Sequence, residues 1–261
     1  MEHNEMIDKI TKEVMARLNE KMKGQDIKSE SSKNTKQMTA LELAGYIDHT
    51  LLKPEAVKSQ FEKLCDEART YKFKSVCVNS SWVPFVAKNL RGSGILICSV
   101  IGFPLGEMDS RSKAFEARTA ISNGANEIDM VINVGALKSR ELKLVEEDIR
   151  TIKRACRSNT VLKVIIETGL LTDEEKILAC EISKKADANF VKTCTGFSGH
   201  GATVPDIALM RRIVGPKMGV KASGGIKNYE QAIDLINAGA TRLGCGASVA
   251  IVTGAISSEK Y

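Results

Sequence analysis

The chain has 261 residues, 43% of them apolar and 27% charged, and no uncharged apolar run reaches membrane-spanning length. That composition excludes fibrous, disordered and membrane-spanning readings and leaves a globular protein with enough core to need no disulfide or metal staple. The formal charge of +6 arises from 38 basic and 32 acidic residues scattered among one another, with one Trp and four Tyr; a nucleic-acid binder would need a basic stripe with stacking platforms, so no nucleic-acid partner is expected.

In chain order, residues 4–23 come first. Ile7, Ile10, Val14, Leu18 and Met22 recur every three or four places, and Glu5 with Lys9, Asp8 with Lys12 and Glu13 with Arg17 set acid before base four apart. The spacing predicts a short amphipathic helix. Residues 24–37, GQDIKSESSKNTKQ, hold a single apolar side chain, so a flexible linker is expected there. This region has no continuous apolar signal segment, and its acidic residues argue against a transit peptide. The chain therefore divides into residues 1–38, helix plus linker, and residues 39–261, one larger domain.

From Met38 onward, short β-branched runs alternate with longer helical patterns. Strands are predicted over 46–51, 75–79, 95–101, 127–133, 162–167, 190–195, 219–223 and 242–245, each apolar enough to be covered on both faces. Helices are predicted over 55–71, 112–123, 141–157, 173–186, 205–213 and 229–238, opened by Pro, Asp, Thr or Ser and often closed by Gly. Eight strand–helix units in about 220 residues match the α/β class and a TIM (β/α)8 barrel, with the amphipathic helix tethered ahead of it. A doubly wound sheet is the alternative, although G-x-G-x-x-G does not follow the first strand. The seven Cys are odd in number and contain no C-x-x-C pair, which suits reduced cytosolic thiols better than a disulfide frame or zinc site.

Charged residues inside barrel strands are the anomaly to follow: Asp48, Asp129, Lys163, Lys192 and Lys221. Interior Asp and Lys must pair, because an isolated buried charge costs several kcal/mol, and a structural ion-pair network would satisfy that. The lysines also favour a chemical reading. Ammonium groups crowded together push one another toward the neutral form. A free lysine near pKa 10.4 is unprotonated in about one part in 2,500 at pH 7, so a useful amine nucleophile needs a drop of roughly three pH units, about 4 kcal/mol. A neutral amine at a barrel mouth attacks carbonyls and forms a Schiff base that withdraws electrons from the neighbouring carbon, which is aldol chemistry needing neither metal nor cofactor. Gly224 and Gly225 in KASGGIKN, and Gly244 and Gly246 in RLGCGAS, close the last two strands, where exposed backbone amides ahead of a helix commonly hold phosphate.

The segments IDHTLLKPEA, SVCVN, VIGFPLG, EIDMVINVGALKS, LKVIIETGLLTDEE, FVKTCTGFSGHGAT and GVKASGGI, in this order and at this spacing, resemble the deoxyribose-phosphate aldolase family over residues 39–261. The resemblance implies a class I aldolase on a TIM barrel, reversibly cleaving 2-deoxy-D-ribose 5-phosphate to D-glyceraldehyde 3-phosphate and acetaldehyde in deoxyribose phosphate catabolism, and a homodimer or higher homo-oligomer. It implies Lys192 as the Schiff-base lysine, Lys221 as the lysine that perturbs it and Asp129 as acid/base in a proton relay. Asp48 and Lys163 match second-line pocket residues, and Thr195, Gly196, Gly224 and Gly225 match positions around the sugar phosphate, with Gly244, Gly246 and Ser248 beside them. Departures are Gly246 and Ala247 where many relatives carry a Ser-Ser pair, Cys194 in place of a common Ser, and Lys227 where Arg, with its planar fork, is frequent. Tyr261 would either close over the phosphate or fray.

Residues 1–24 resemble encapsulation peptides of bacterial microcompartments, whose apolar face packs against a shell. The expected location is thus the cytoplasm, or such an organelle within it, with no membrane partner. His49 is read as a structural histidine ahead of a proton relay, and Cys77 as an inert buried thiol ahead of a pocket group. A phosphate-binding barrel without catalysis and an assembly scaffold are the competing functions.

Overall fold

The computed structural model describes residues 38–255. The helix predicted over 4–23, its linker, and residues 256–261 with Tyr261 lie outside the described residues.

Eight strands close on one another: β1 Ile47–Leu51, β2 Ser75–Asn79, β3 Leu96–Ile101, β4 Glu127–Val131, β5 Val161–Ile165, β6 Phe190–Lys192, β7 Gly219–Ser223 and β8 Arg242–Cys245. Each lies parallel to the next, and β8 pairs back with β1 through Asp48 opposite Gly244. This is the TIM barrel that the pattern predicts. Side chains alternate along a strand, so Val76, Ile128, Val164, Val220 and Leu243, all fully buried, are the alternates that face the helices. The other set points into the barrel.

The principal helices are α1 Ala40–Ala44, α2 Lys58–Tyr71, α3 Val83–Asn89, α4 Ser110–Ser122, α5 Val134–Lys138, α6 Leu142–Ala155, α7 Asp173–Lys185, α8 Val204–Val214, α9 Tyr229–Asn237 and α10 Ser248–Thr253. Their stripes follow helical spacing: α2 buries Phe61, Leu64, Cys65 and Ala68, and α6 buries Leu142, Val145, Ile149 and Ile152. Caps fix several starts. The Thr172 hydroxyl accepts from the Glu175 amide while Glu175 accepts from the Thr172 amide, and the Thr203 and Asn228 side chains cap α8 and α9. The short α1, α3, α5 and α10 contain too few turns to show a period. Among the described residues, no helix is long and apolar enough to cross a membrane.

Three predicted strands overrun the observed ones at the same end of the barrel. After β4, Asn133 caps α5 by accepting from the Ala136 amide at 2.8 Å. After β5, Glu167 turns to φ 59°, outside the strand region. After β6, residues 193–195 leave the ladder for a loop. Apolar composition extends past the last ladder bond because these residues remain buried as the chain turns into the mouth loops.

Candidate active site

Inside the barrel, three carboxylates meet four cations. Asp129 Oδ2 lies 2.9 Å from Lys192 Nζ and 2.8 Å from Lys221 Nζ, while its Oδ1 lies 2.8 Å from Lys163 Nζ. Asp48 Oδ2 lies 2.5 Å from Lys221 Nζ, and its Oδ1 accepts from Ser75 Oγ and Arg242 Nη1, each at 2.6 Å. Glu127 Oε2 lies 2.5 Å from Lys163 Nζ and 2.9 Å from Arg242 Nη1. Adjacent parallel strands build this arrangement, with Asp129 opposite Lys163 on β4 and β5, and Lys192 opposite Lys221 on β6 and β7.

The cations are not equivalent. Lys163 is shared by Glu127, Asp129 and, at 3.6 Å, Asp48; Lys221 is shared by Asp48 and Asp129. Burial works against the charge on both, but these carboxylates outweigh it and hold both ammonium groups above the usual lysine range. Burial likewise opposes the charges on Asp129 and Asp48, yet the surrounding lysines hold both carboxyls below the usual range. Among the described residues, Lys192 meets one carboxylate, Asp129. It is also the lysine nearest solvent, 2% exposed where Lys163 and Lys221 are fully covered.

The loop after β6 is pinned from β5. Glu167 accepts from the Thr195 amide at 3.1 Å and from the Ser198 hydroxyl at 2.9 Å, while the Ile166 and Thr168 amides donate to the Lys192 and Thr193 carbonyls. Thr195 Oγ1 accepts from the Phe197 amide. Gly196, Gly224 and Gly225 all adopt positive φ. At Gly224 (φ 86°) a Cβ would stand 2.7 Å from Cys194 Sγ, so the position is closed to larger residues by both conformation and space.

A cavity of about 450 Å³ opens beside the mouth, lined by Lys53, Lys63, Phe197, Gly225, Lys227 and Gly246 among others. Two residues grouped with the phosphate positions lie differently. Gly244 sits within β8, where a Cβ would approach Ser223 Cβ at 2.9 Å and Lys221 Cε at 3.0 Å; its small size makes room for the lysine. Ser248 is fully buried, with Oγ 2.9 Å from His49 Nδ1 and donating to the Cys245 carbonyl. His49 Nε2 lies 2.9 Å from Glu67, and Cys77 faces Cys98 across β2 and β3, both buried.

Glu127, Arg242, Cys98 and Glu167 belong to this assembly and were not anticipated. Glu127 is two places before Asp129 on one strand, so the strand period puts both on the same face. Arg242 is a charged residue within a predicted strand, the signal already used for the lysines. Cys98 donates its thiol to Asp129 Oδ1 at 3.0 Å; burial first, then Cys77 and Asp129, push that thiol well above the usual cysteine range.

A family model described as DeoC/LacD family aldolase matches residues 42–257. A deoxyribose-phosphate aldolase of Streptococcus gordonii is 58% identical over 85% of this chain and 100% of its own length, and deoxyribose-phosphate aldolase 1 of Bacillus licheniformis is 58% identical over 84% and 99%. The solved deoxyribose phosphate aldolase of Aeropyrum pernix, described as tetrameric, superposes with a TM-score of 0.78 at 32% identity, covering 83% of this chain and 92% of that one.

Proposed function

Because the chain belongs to the DeoC/LacD family of aldolases, we propose that it is a class I deoxyribose-phosphate aldolase, reversibly cleaving 2-deoxy-D-ribose 5-phosphate to D-glyceraldehyde 3-phosphate and acetaldehyde, with Lys192 as the Schiff-base amine. One observation carries the choice of lysine: in a cluster of four cations and three carboxylates, Lys192 has Asp129 alone as carboxylate partner and stands nearest solvent. A single neutral cation balances that cluster, and the amine least held by carboxylates is the one to supply it.

In the cleavage direction, the Lys192 amine adds to the aldehyde of the open-chain sugar to give a carbinolamine, and loss of water gives the iminium. Removal of the proton from the hydroxyl on the third carbon breaks the bond between the second and third carbons. That releases glyceraldehyde phosphate and leaves its electron pair in an enamine. Protonation of the enamine carbon and hydrolysis return acetaldehyde and the free amine. Asp129 Oδ2, placed between Lys192 and Lys221, is the group through which protons pass, with Lys221 and water. With Lys192 neutral as the nucleophile, Asp129 still has the Lys163 and Lys221 ammonium groups beside it, which favour its ionised form, so it passes protons on without storing one. Asp48 and Lys163 hold this layer in register. The phosphate is assigned to the amides around Gly196, Gly224, Gly225 and Gly246 with Lys227 and the Thr195 loop. The side chain of Ser248 already has two partners and contributes through its backbone.

The test is borohydride reduction in the presence of acetaldehyde. Mass spectrometry should place a two-carbon adduct on the Lys192 peptide, and Lys192→Ala and Lys192→Arg should lose both adduct and turnover. An adduct retained in these variants, or ligand protection without any adduct, would favour another nucleophile or a non-catalytic phosphate-binding barrel.

We also propose that residues 1–24 direct the enzyme from the cytoplasm into a bacterial microcompartment by packing against its shell, supported by their amphipathic spacing, the polar linker and a volatile aldehyde product. Diffuse fluorescence of a fusion carrying residues 1–24, in cells that make shells, would overturn this. A homo-oligomer is proposed on the tetrameric description of the Aeropyrum pernix relative, and light scattering tests it.

A further inference from the structure

Below the lysines, Arg242 and Glu127 form a second polar layer. Arg242 Nη1 lies 2.6 Å from Asp48 Oδ1 and 2.9 Å from Glu127 Oε2, and Nη2 donates to Glu127 Oε1 at 3.2 Å. The guanidinium also stands 5.5 Å from the centre of the Phe190 ring. Both side chains are buried, Arg242 at 6% and Glu127 at 1% exposure. Neither reaches the mouth, so neither can touch substrate. Yet each is one step from a lysine that shares Asp129 with Lys192: Arg242 through Asp48 to Lys221, and Glu127 directly to Lys163.

We infer that Glu127 and Arg242 are positioning residues that fix the charge balance of the barrel interior and thereby the pH at which Lys192 becomes a free amine. This rests on the reading of Lys192 as the nucleophile. The buried titratable and polar groups that share the barrel interior with that amine are Asp48 on β1, Ser75 and Cys77 on β2, Cys98 on β3, Glu127 and Asp129 on β4, Lys163 on β5, Lys221 on β7 and Arg242 on β8. With the acids ionised and the bases protonated, the layer carries one excess positive charge. Arginine cannot relieve it, because its guanidinium does not deprotonate in proteins. Lys163 and Lys221 are each held by more than one carboxylate. Lys192, with Asp129 as its one carboxylate partner among the described residues, is the place where that excess is least opposed. Removing the Glu127 charge raises the excess and makes Lys192 release its proton more readily, and removing the Arg242 charge cancels the excess and makes it retain the proton.

The experiment measures the pH dependence of kcat/KM for sugar-phosphate cleavage, and of borohydride trapping with acetaldehyde, in the full-length protein. For Glu127→Gln the acid limb of both curves should move down by about one pH unit, and for Arg242→Met up by about one. Arg242→Lys should stay near the parent, and the double variant Glu127→Gln/Arg242→Met, which restores the original balance, should return toward it. A structural role alone would lower rates without opposite displacements. Limbs that move in the same direction, or not at all, overturn the inference. If Arg242→Met does not fold, Glu127→Gln and the double variant decide it: a limb unmoved in the former, or equally displaced in both, refutes it. Peptide mapping of the adduct tells this failure from the failure of Lys192 as nucleophile, which would show as no adduct at Lys192 in the parent enzyme.

Discussion

Replacing Lys221 with Met removes a positive charge that shares one carboxylate oxygen with Lys192. Both ammonium nitrogens lie against Asp129 Oδ2, at 2.8 and 2.9 Å, and so cannot be farther apart than the sum of the two; at that limit, with an effective dielectric near 20, their repulsion is about 3 kcal/mol, or about two pH units. The deletion also leaves Asp129 with one fewer competing cation, so its hold on Lys192 strengthens in the same direction. The acid limb of kcat/KM should rise by about two units, with activity near pH 7 falling about a hundredfold and recovering as the pH approaches 9. Lys221→Arg keeps the charge and should keep the limb, whatever it does to the plateau. The assay is coupled detection of glyceraldehyde phosphate across pH 5–10, with folding checked by circular dichroism. A Met variant whose activity falls equally at every pH, its limb unmoved, would show that Lys221 acts by shape or proton transfer and not by crowding its neighbour.

Away from the mouth, Lys113 Nζ reaches Asp148 Oδ2 at 2.7 Å and the Val131 carbonyl at 3.0 Å, fully buried between α4 and α6. Asp148→Ala should cost about 3–5 kcal/mol in urea unfolding, because it strands the ammonium. Gly169→Ala would put a Cβ 2.3 Å from His200 Cβ, forcing the loop after β6 to shift; kcat/KM should drop about tenfold with little change in melting temperature. The pH dependence of stability follows from Asp129 and Asp48, whose carboxyls are held low in the fold against their burial by the neighbouring lysines. Their contribution is complete above the ordinary carboxylate range and is lost as pH falls through the depressed values, so unfolding free energy should decline from about pH 5 downward. Urea titrations at pH 7, 5 and 3 check this, and stability that holds level across them would contradict it.

The barrel was legible because parallel strands covered on both faces leave continuous apolar runs, and all eight of them lie where the runs are. Strand ends were less so. At Glu167 the backbone turns to a φ of 59° where the carboxylate accepts from the Thr195 amide, a contact with a residue 28 places away that local pattern does not reveal. The five charged strand residues singled out by being charged do converge on one cluster. Lys113 and Asp148 escaped notice because they lie on amphipathic helices, where a charge normally faces water, and only the packing of α4 on α6 covers them. The partners of Ser248 and the place of Gly244 against the Lys221 stem are likewise facts of tertiary approach.

The polar layer is sorted by sign along the chain. Asp48, Glu127 and Asp129 come from β1 and β4, and Lys163, Lys192, Lys221 and Arg242 come from β5 to β8. Each half-barrel by itself would therefore carry an interior of one polarity and repel itself, and only the union of the halves neutralises both. Neither fragment cut between β4 and β5 would be net negative overall, so this attraction belongs to the covered interior, acts at contact distance and adds nothing to long-range encounter.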